Sequence, residues 1–262
     1  MPRVLFIGDI VGRPGRQLVI NQLKHWREQH RLDFVVANGE NAAAGFGLTK
    51  PLAEELLAAG IDGLTLGNHA WDQRGFEKDI ETLPLVCRPA NLPEDAPGAY
   101  YLILEKSGYR LAVFTLIGQV WMDMAISRPP AELGDALLDQ LRGRADAFLI
   151  EIHAESTGEK ASLGWYFDGR AALVVGTHTH ILTADGHILP QGTAYLTDAG
   201  ITGVYDSVLG FDPANVIAKF KDGLPRRLEV AEGDAILQGC IVDIDSKTGL
   251  ASAFETVQWR AP

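Results

Sequence analysis

The chain has 262 residues, of which 47% are hydrophobic and 22% charged, and a formal net charge of -11. That size and balance suit one α/β domain, predicted over residues 1–262, with a core that needs no cross-links, and they exclude a largely disordered chain. The acidic excess argues against broad nucleic-acid binding, which relies on clustered Lys and Arg to displace counterions; a small phosphate ligand would need metal to supply positive charge.

Cys87 and Cys240 are the two cysteines, far apart and outside any CxxC pair, so they are expected to be reduced core residues of a cytosolic protein. The apolar run VLFIG is cut by Asp9 before it could form the core of an export signal. Longer uncharged stretches, such as Ala171 to Ala184, fall short of the ~20 apolar residues of a membrane span. A soluble, cytoplasmic protein without a membrane partner is expected, and self-association into a homo-oligomer stays open.

In chain order, the apolar run RVLFIG, a helical stretch from Gly15 to His30, the run DFVVA, a second helical stretch from Thr49 to Ala59 and DGLTLG predict β-α-β-α-β. Such alternation predicts a parallel sheet with helices on both faces and function in the loops at the carboxyl ends of the strands. Those loops read GDIVGRPGR, NGENAAAGFG and GNHAWD. The middle segment YYLILEKSGYRLAVFTL reads as a hairpin turning at Ser107 and Gly108, so the sheet becomes mixed. After a helix near Glu132 to Arg144, DAFLIEI leads to HAEST and AALVVG leads to THTH, each run delivering histidine at its end. The tail segments LEVA, AILQGCIVDID and GLASAFETVQW read as antiparallel strands finishing a second sheet. No repeat or linker interrupts the pattern.

Asp9, Glu40, Asn41, Asn68, His69, His153, His178 and His180 all fall just beyond predicted strands. They offer oxygen and imidazole donors, with one carboxylate able to bridge, which is what a pair of hard or borderline dications needs. Singly, each has a plainer reading: Asp9 and Asn41 as caps or turn formers, Glu40 as a solvated loop acid, Asn68 and His69 as a turn, His153 as a core histidine bonded to backbone. Jointly these weaken, because four of the seven histidines follow strands beside glycine. His25 and His30 fall in a helix and His187 in a hairpin-like region, and none of the three is assigned a role. Arg13, in the turn after Asp9, is a candidate phosphate contact, against the plainer reading of a solvated surface arginine.

The order GD, NGEN, GNH, a lone His after a strand and GTHTH resembles the calcineurin-like metallophosphoesterases, whose usual pattern is DxH, GDxxD, GNHE/D, H and GHxH. Two departures stand out: Val11 where that pattern has the first His, and Glu40 followed by Asn41 where it has a bridging Asp. With TDAGITG at Thr197 to Gly203, they resemble the YmdB-like branch of bacterial 2′,3′-cyclic nucleotide phosphodiesterases. The resemblance implies a sandwich of mixed β-sheets flanked by helices and two metal ions, iron in the first place and otherwise manganese or zinc. It assigns Asp9, Asn41 and His180 to one metal, Asn68, His153 and His178 to the other, and Glu40 to the bridge. It also implies hydrolysis of 2′,3′-cyclic nucleotides to 3′-nucleotides by a metal-bridging hydroxide, with His69 free to act as general acid. Glu151 and Ile152 depart from the Asp-Phe expected before the lone histidine, leaving the orientation of His153 open. A phosphomonoesterase or phosphoprotein phosphatase, and a metal-bound regulatory scaffold with little turnover, are the alternatives; the scaffold reading gives no reason to keep His69.

Overall fold

In the computed structural model, which describes residues 1–261, two β-sheets face each other and each carries helices on its outer side. The chain runs β1 (Arg3–Ile7), β2 (Asp9–Ile10), α1 (Gly12–His30), β3 (Phe34–Asn38), α2 (Lys50–Ala58), β4 (Gly63–Thr65), α3 (Phe76–Asp79) and β5 (Val86–Cys87). It continues through β6 (Leu102–Lys106), β7 (Tyr109–Ile117), α4 (Pro130–Leu141), β8 (Ala147–His153), α5 (Thr157–Tyr166) and β9 (Leu173–Thr177). The last third holds β10 (His187–Ile188), β11 (Ala194–Leu196), β12 (Ile201–Val204), α6 (Pro213–Asp222), β13 (Ala235–Ile244) and β14 (Ala251–Arg260).

The first sheet has the order β2-β12-β13-β1-β3-β4-β5, with β14 on the free side of β13, and the second has the order β10-β11-β9-β8-β7-β6. Strand β1 shows why two layers form. Its residues alternate between faces, and both faces are apolar. Leu5 and Ile7 pack with Leu23 and Trp26 of α1, while Val4 and Phe6 pack with Leu111, Leu149 and Leu173 of the second sheet. The outer face of that sheet, carrying Phe114, Leu116 and Ile150, is covered by Leu137 and Leu138 of α4 and Leu163 of α5.

Three expectations change. Helices lie on one face of each sheet, because the inner faces are consumed by sheet-on-sheet packing. The tail strands join the first sheet, not the second: β13 runs antiparallel to β1 from Arg3↔Asp243 to Ile7↔Gly239, and β14 runs along its other edge. Within LEVA, Val230 makes only an isolated bridge to Phe211. Helix α1 starts at Gly12, earlier than Gly15, since Pro14 is tolerated in a first turn whose N–H groups have no intrahelical partners. Among the described residues no helix is long and apolar enough to cross a membrane.

Candidate metal centre

The carboxyl ends of β3, β4, β8 and β9, together with β2, meet at one rim and bring the predicted ligands together. Asp9 lies in β2, Glu40 and Asn41 follow β3, Asn68 and His69 follow β4, His153 ends β8, and His178 and His180 follow β9. Gly67 permits the closest approach, because a Cβ there would collide with the His153 ring. Arg16 of α1 donates to the Ala42 carbonyl and so ties down the loop after Glu40.

His153 is wholly buried and its Nε2 is surrounded by acceptors. Asn68 Oδ1 lies 2.7 Å away, Glu40 Oε1 3.0 Å and His178 Nδ1 3.2 Å. The donor atoms of Glu40, His153 and His178 all fall within 4.8 Å of one another. Beside them, His180 Nε2 stands 3.7 Å from Asp9 Oδ1, and Asp9 Oδ2 accepts from the His178 backbone N–H at 3.3 Å. The Asn41 amide donates to Gly45 O at 2.9 Å, which leaves its Oδ1 buried and unpartnered, as is Asp9 Oδ1.

The second ring nitrogens fix which nitrogen is bare. The buried Glu151 carboxylate receives Asn38 Nδ2 at 2.7 Å, Thr115 Oγ1 at 2.8 Å and Thr177 Oγ1 at 2.7 Å. With its hydrogen committed to Glu151, Thr177 Oγ1 can only accept from His153 Nδ1, 2.9 Å away, so neutral His153 presents a bare Nε2. Glu155 Oε2 accepts from His178 Nε2–H at 3.2 Å and the Leu209 carbonyl from His180 Nδ1–H at 3.1 Å, which leaves His178 Nδ1 and His180 Nε2 bare. This answers the question of His153 orientation: Glu151 sets it through Thr177.

Charge follows the same geometry. Burial alone would push the Glu40 carboxyl up, but His153 and the His69 backbone N–H, 2.9 Å from Glu40 Oε2, bring it down to about 2. Burial opposes the charged form of His153 too, yet Glu40 and Asp9 outweigh it and raise the group to about 9. Asp9 is pushed up to about 6 by burial, against the pull of His180 and His153. Burial, with His153 next, drives His178 down to about 3 and keeps it neutral.

His178 and His180 hold φ at +90° and +58°, conformations that cost a non-glycine residue energy unless the surroundings impose them. The restraint between them is Thr179, whose N–H and hydroxyl donate to buried Asp198 at 3.1 and 2.6 Å, while Lys160 Nζ pairs with the same carboxylate at 2.7 Å. This gives the TDAG segment a physical role in the site.

His69 stands apart from the ligand cluster. Its Nδ1 lies 2.7 Å from Asp72 Oδ2, and it lines a cavity of about 270 Å³ over Glu40, Asn41, His178 and His180. The same cavity is lined by Phe46, Phe211 and Lys219; the sequence did not point to these, nor to Asp72 and Glu155. Asp72 was detectable, three residues after His69 in the same loop. Lys219 and Phe211 were not, since nothing in PANVIAKFKD, or in the loop residues before it, ties that segment to the site. Arg13 is exposed and lines a neighbouring cavity with Pro14, Ala44 and Arg227, which shares Leu228 with the first.

The model of the YmdB-like protein family matches residues 5–257. The chain belongs to the YmdB-like family. It is 44% identical over 97% of its length to a 2′,3′-cyclic-nucleotide 2′-phosphodiesterase of Bacillus subtilis, 96% of which is covered. A crystal structure described as a novel phosphatase from Mycoplasma pneumoniae superimposes with a TM-score of 0.90 at 30% identity, covering 99% of this chain and 93% of that one. The NAD nucleotidase of Haemophilus influenzae, 14% identical with a TM-score of 0.63, covers 99% of this chain and 56% of that one and shares the fold. The fold is a sandwich of two mixed β-sheets flanked by helices, as the sequence resemblance implied.

Proposed function

We propose that the protein is a two-metal phosphodiesterase that opens 2′,3′-cyclic nucleotides to 3′-nucleotides. The observation that carries the metal is the crowding at His153 Nε2: three acceptors, from Asn68, Glu40 and His178, converge on an atom that can carry a single hydrogen. A cation satisfies such a cluster where a proton cannot. The unpartnered Asp9 Oδ1 and Asn41 Oδ1 beside it fit a second cation. Asn68, His153 and His178 would hold one ion, Asp9, Asn41 and His180 the other, with Glu40 between them; the absence of thiolate suits iron, manganese or zinc. Bound there, the two ions would supply Lewis acidity toward the phosphoryl oxygens and activation of water.

The chain's own residues account for the remaining chemistry. When water adds at phosphorus and the bond to the ribose 2′ oxygen breaks, that oxygen leaves as a poor alkoxide unless protonated. His69 suits the task. Asp72 accepts from its Nδ1–H, so in the doubly protonated ring Nε2–H is the donor left to hand the leaving oxygen a proton, after which the ring is neutral. Lys219, lining the same cavity, offers the cation for a phosphate oxygen that the sequence suggested in Arg13. The diester preference is supported by the Bacillus subtilis relative, whose name states that activity.

The test is turnover of 2′,3′-cyclic AMP, 3′,5′-cyclic AMP, nucleoside monophosphates and phosphoserine peptide by protein loaded in turn with iron, manganese and zinc. The 2′,3′-cyclic substrate should be fastest. Faster hydrolysis of the monoesters would make the protein a phosphomonoesterase instead.

A further inference from the structure

The cavity over the ligand cluster has two chemically different sides. Its floor is polar, and its wall is formed by Phe46, Phe211, Phe220, Leu209 and Leu228 with other aliphatic groups. Phe46 stands edge-on to His69, with ring centroids 5.1 Å apart at 76°, and lies nearly parallel to Phe211 at 5.2 Å and 25°. Aromatic rings therefore run in contact from His69 through Phe46 to Phe211. Gly45, at φ +92°, makes room for them, because a Cβ there would press on the Phe211 ring. Among the described residues lining this wall, Lys219 is the one charged side chain, and none carries an amide, hydroxyl or carboxylate.

A cluster that served packing alone would bury its rings. Here Phe211 is buried, Phe46 is half-buried, and Phe220 is 85% exposed although it borders the cavity. Apolar rings left open beside a phosphate-handling floor suit a ligand with a flat apolar face attached to a phosphate.

We propose that this wall is a nucleobase subsite that holds the base by stacking on Phe46, backed by the buried Phe211 ring, and does not read its edge. The proposal rests on the phosphodiesterase reading above and extends it to base preference. Aromatic side chains stack on any base, since every base has a π-face. Edge discrimination needs donors and acceptors, and sites that have them reject wrong partners by about 10⁴ or more. A wall with no side chain of that kind, apart from the Lys219 amine, predicts tolerance, with the larger purines ahead of pyrimidines.

The experiment compares wild type with Phe46→Leu, which keeps apolar bulk and loses the ring, and with Phe220→Ala, an exposed position where folding is not at stake. Substrates are the four 2′,3′-cyclic nucleotides and base-free ribose 2,3-cyclic phosphate, and binding of adenosine 3′-monophosphate and ribose 3-phosphate is measured by calorimetry. In wild type the four nucleotides should differ in KM by less than about tenfold, and removing the base should raise KM by about tenfold or more. Phe46→Leu should raise KM for the nucleotides by about tenfold with little change in kcat, weaken adenosine 3′-monophosphate to match, and leave the base-free compounds unaffected. Phe220→Ala should do the same to a smaller extent. Equal losses with and without a base, or one base preferred by about 100-fold or more, would overturn the proposal. If wild type hydrolyses monoesters and no cyclic nucleotide, the phosphodiesterase reading fails, and the calorimetric comparison still decides whether the wall binds a base.

Discussion

The floor of the cavity is made of largely buried side chains at strand ends, and its wall of loop residues such as Phe46 and Phe211 together with a short helix, α6, in which only Val216 is buried. Beneath the floor the supporting groups are held, while Asp9 Oδ1 and Asn41 Oδ1 stay unpartnered: Glu151 takes three hydrogen bonds, Asp198 holds Thr179 and Lys160, and three histidines have one ring nitrogen each restrained. The wall is held by apolar contact and leaves Ile217, Phe220 and Leu224 exposed. Buried charge is tolerated only where it is paired and hydrogen-bonded, so the floor has little freedom to vary. Exposed apolar contact tolerates exchange, so the wall is where a family with one chemistry can change its substrate.

The largest effects should therefore come from the floor. Glu40→Gln removes the charge that faces His153 and neighbours Asp9, and it should lower metal content and activity together more than any other single change on the floor. Elemental analysis of wild type purified without chelator should approach two transition metals per chain, as the two donor sets imply. A value near zero that neither iron nor manganese restores would remove the metal assignment. His69→Ala comes next: it should keep both metals yet lower turnover of cyclic nucleotide by ~10² to 10⁴, the usual contribution of a positioned general acid. The defect should shrink on bis-aryl phosphate, whose leaving group needs little protonation. An equal loss on both substrates would assign His69 to phosphate binding, and loss of metal would place it among the ligands.

The same contrast decides what could be read from sequence. Every floor residue follows an apolar run in the chain, and strand ends of an open α/β sheet converge in space, so Asp9, Glu40, His153 and the THTH pair were legible as one group. The partners that set their tautomers were less so. Glu151 lies inside a strand and looks like a departure from a pattern until Thr177 and Asn38 are seen around it. The position of β13 between β1 and β14 was not legible either, because alternating apolar residues show that a strand is half-buried and not which sheet it enters. Helix α6 was missed altogether, its apolar residues being largely exposed.

Glu151 offers a smaller effect on the floor without touching a metal ligand. Glu151→Gln places an amide where three donors point, which should loosen Thr177 and with it the His153 ring. Metal affinity should fall by ~10- to 100-fold, the usual cost of losing a group that orients a ligand, with far-ultraviolet circular dichroism unchanged. Unaltered metal affinity would show that the ring is held by packing against Gly67 alone. Metal uptake should also depend on pH in a stated direction. Without cations His153 is raised to about 9, so at pH 7 it carries a proton that ligation must expel. Loading in weak buffer should release protons at pH 7, and affinity should weaken as pH falls from about 9 toward 6; affinity flat across that range would mean that His153 is not a ligand.

The smallest effect separates the two cations considered for substrate phosphate. Lys219 lines the cavity that holds His69, whereas Arg13 lines a different one. Both side chains are exposed, so neither contact is worth more than ~1 kcal/mol, or about fivefold in KM. Lys219→Met keeps the aliphatic stem against the wall and removes only the charge, so it should raise KM for 2′,3′-cyclic AMP by about three- to fivefold, leaving kcat and metal content unchanged. The increase should fade in high salt, because an exposed cation is screened over a Debye length of ~10 Å at 0.1 M. Arg13→Ala should leave KM within about twofold. If the two variants exchange behaviour, the substrate phosphate sits on the Arg13 side of Leu228, which lines both cavities, and not beside α6.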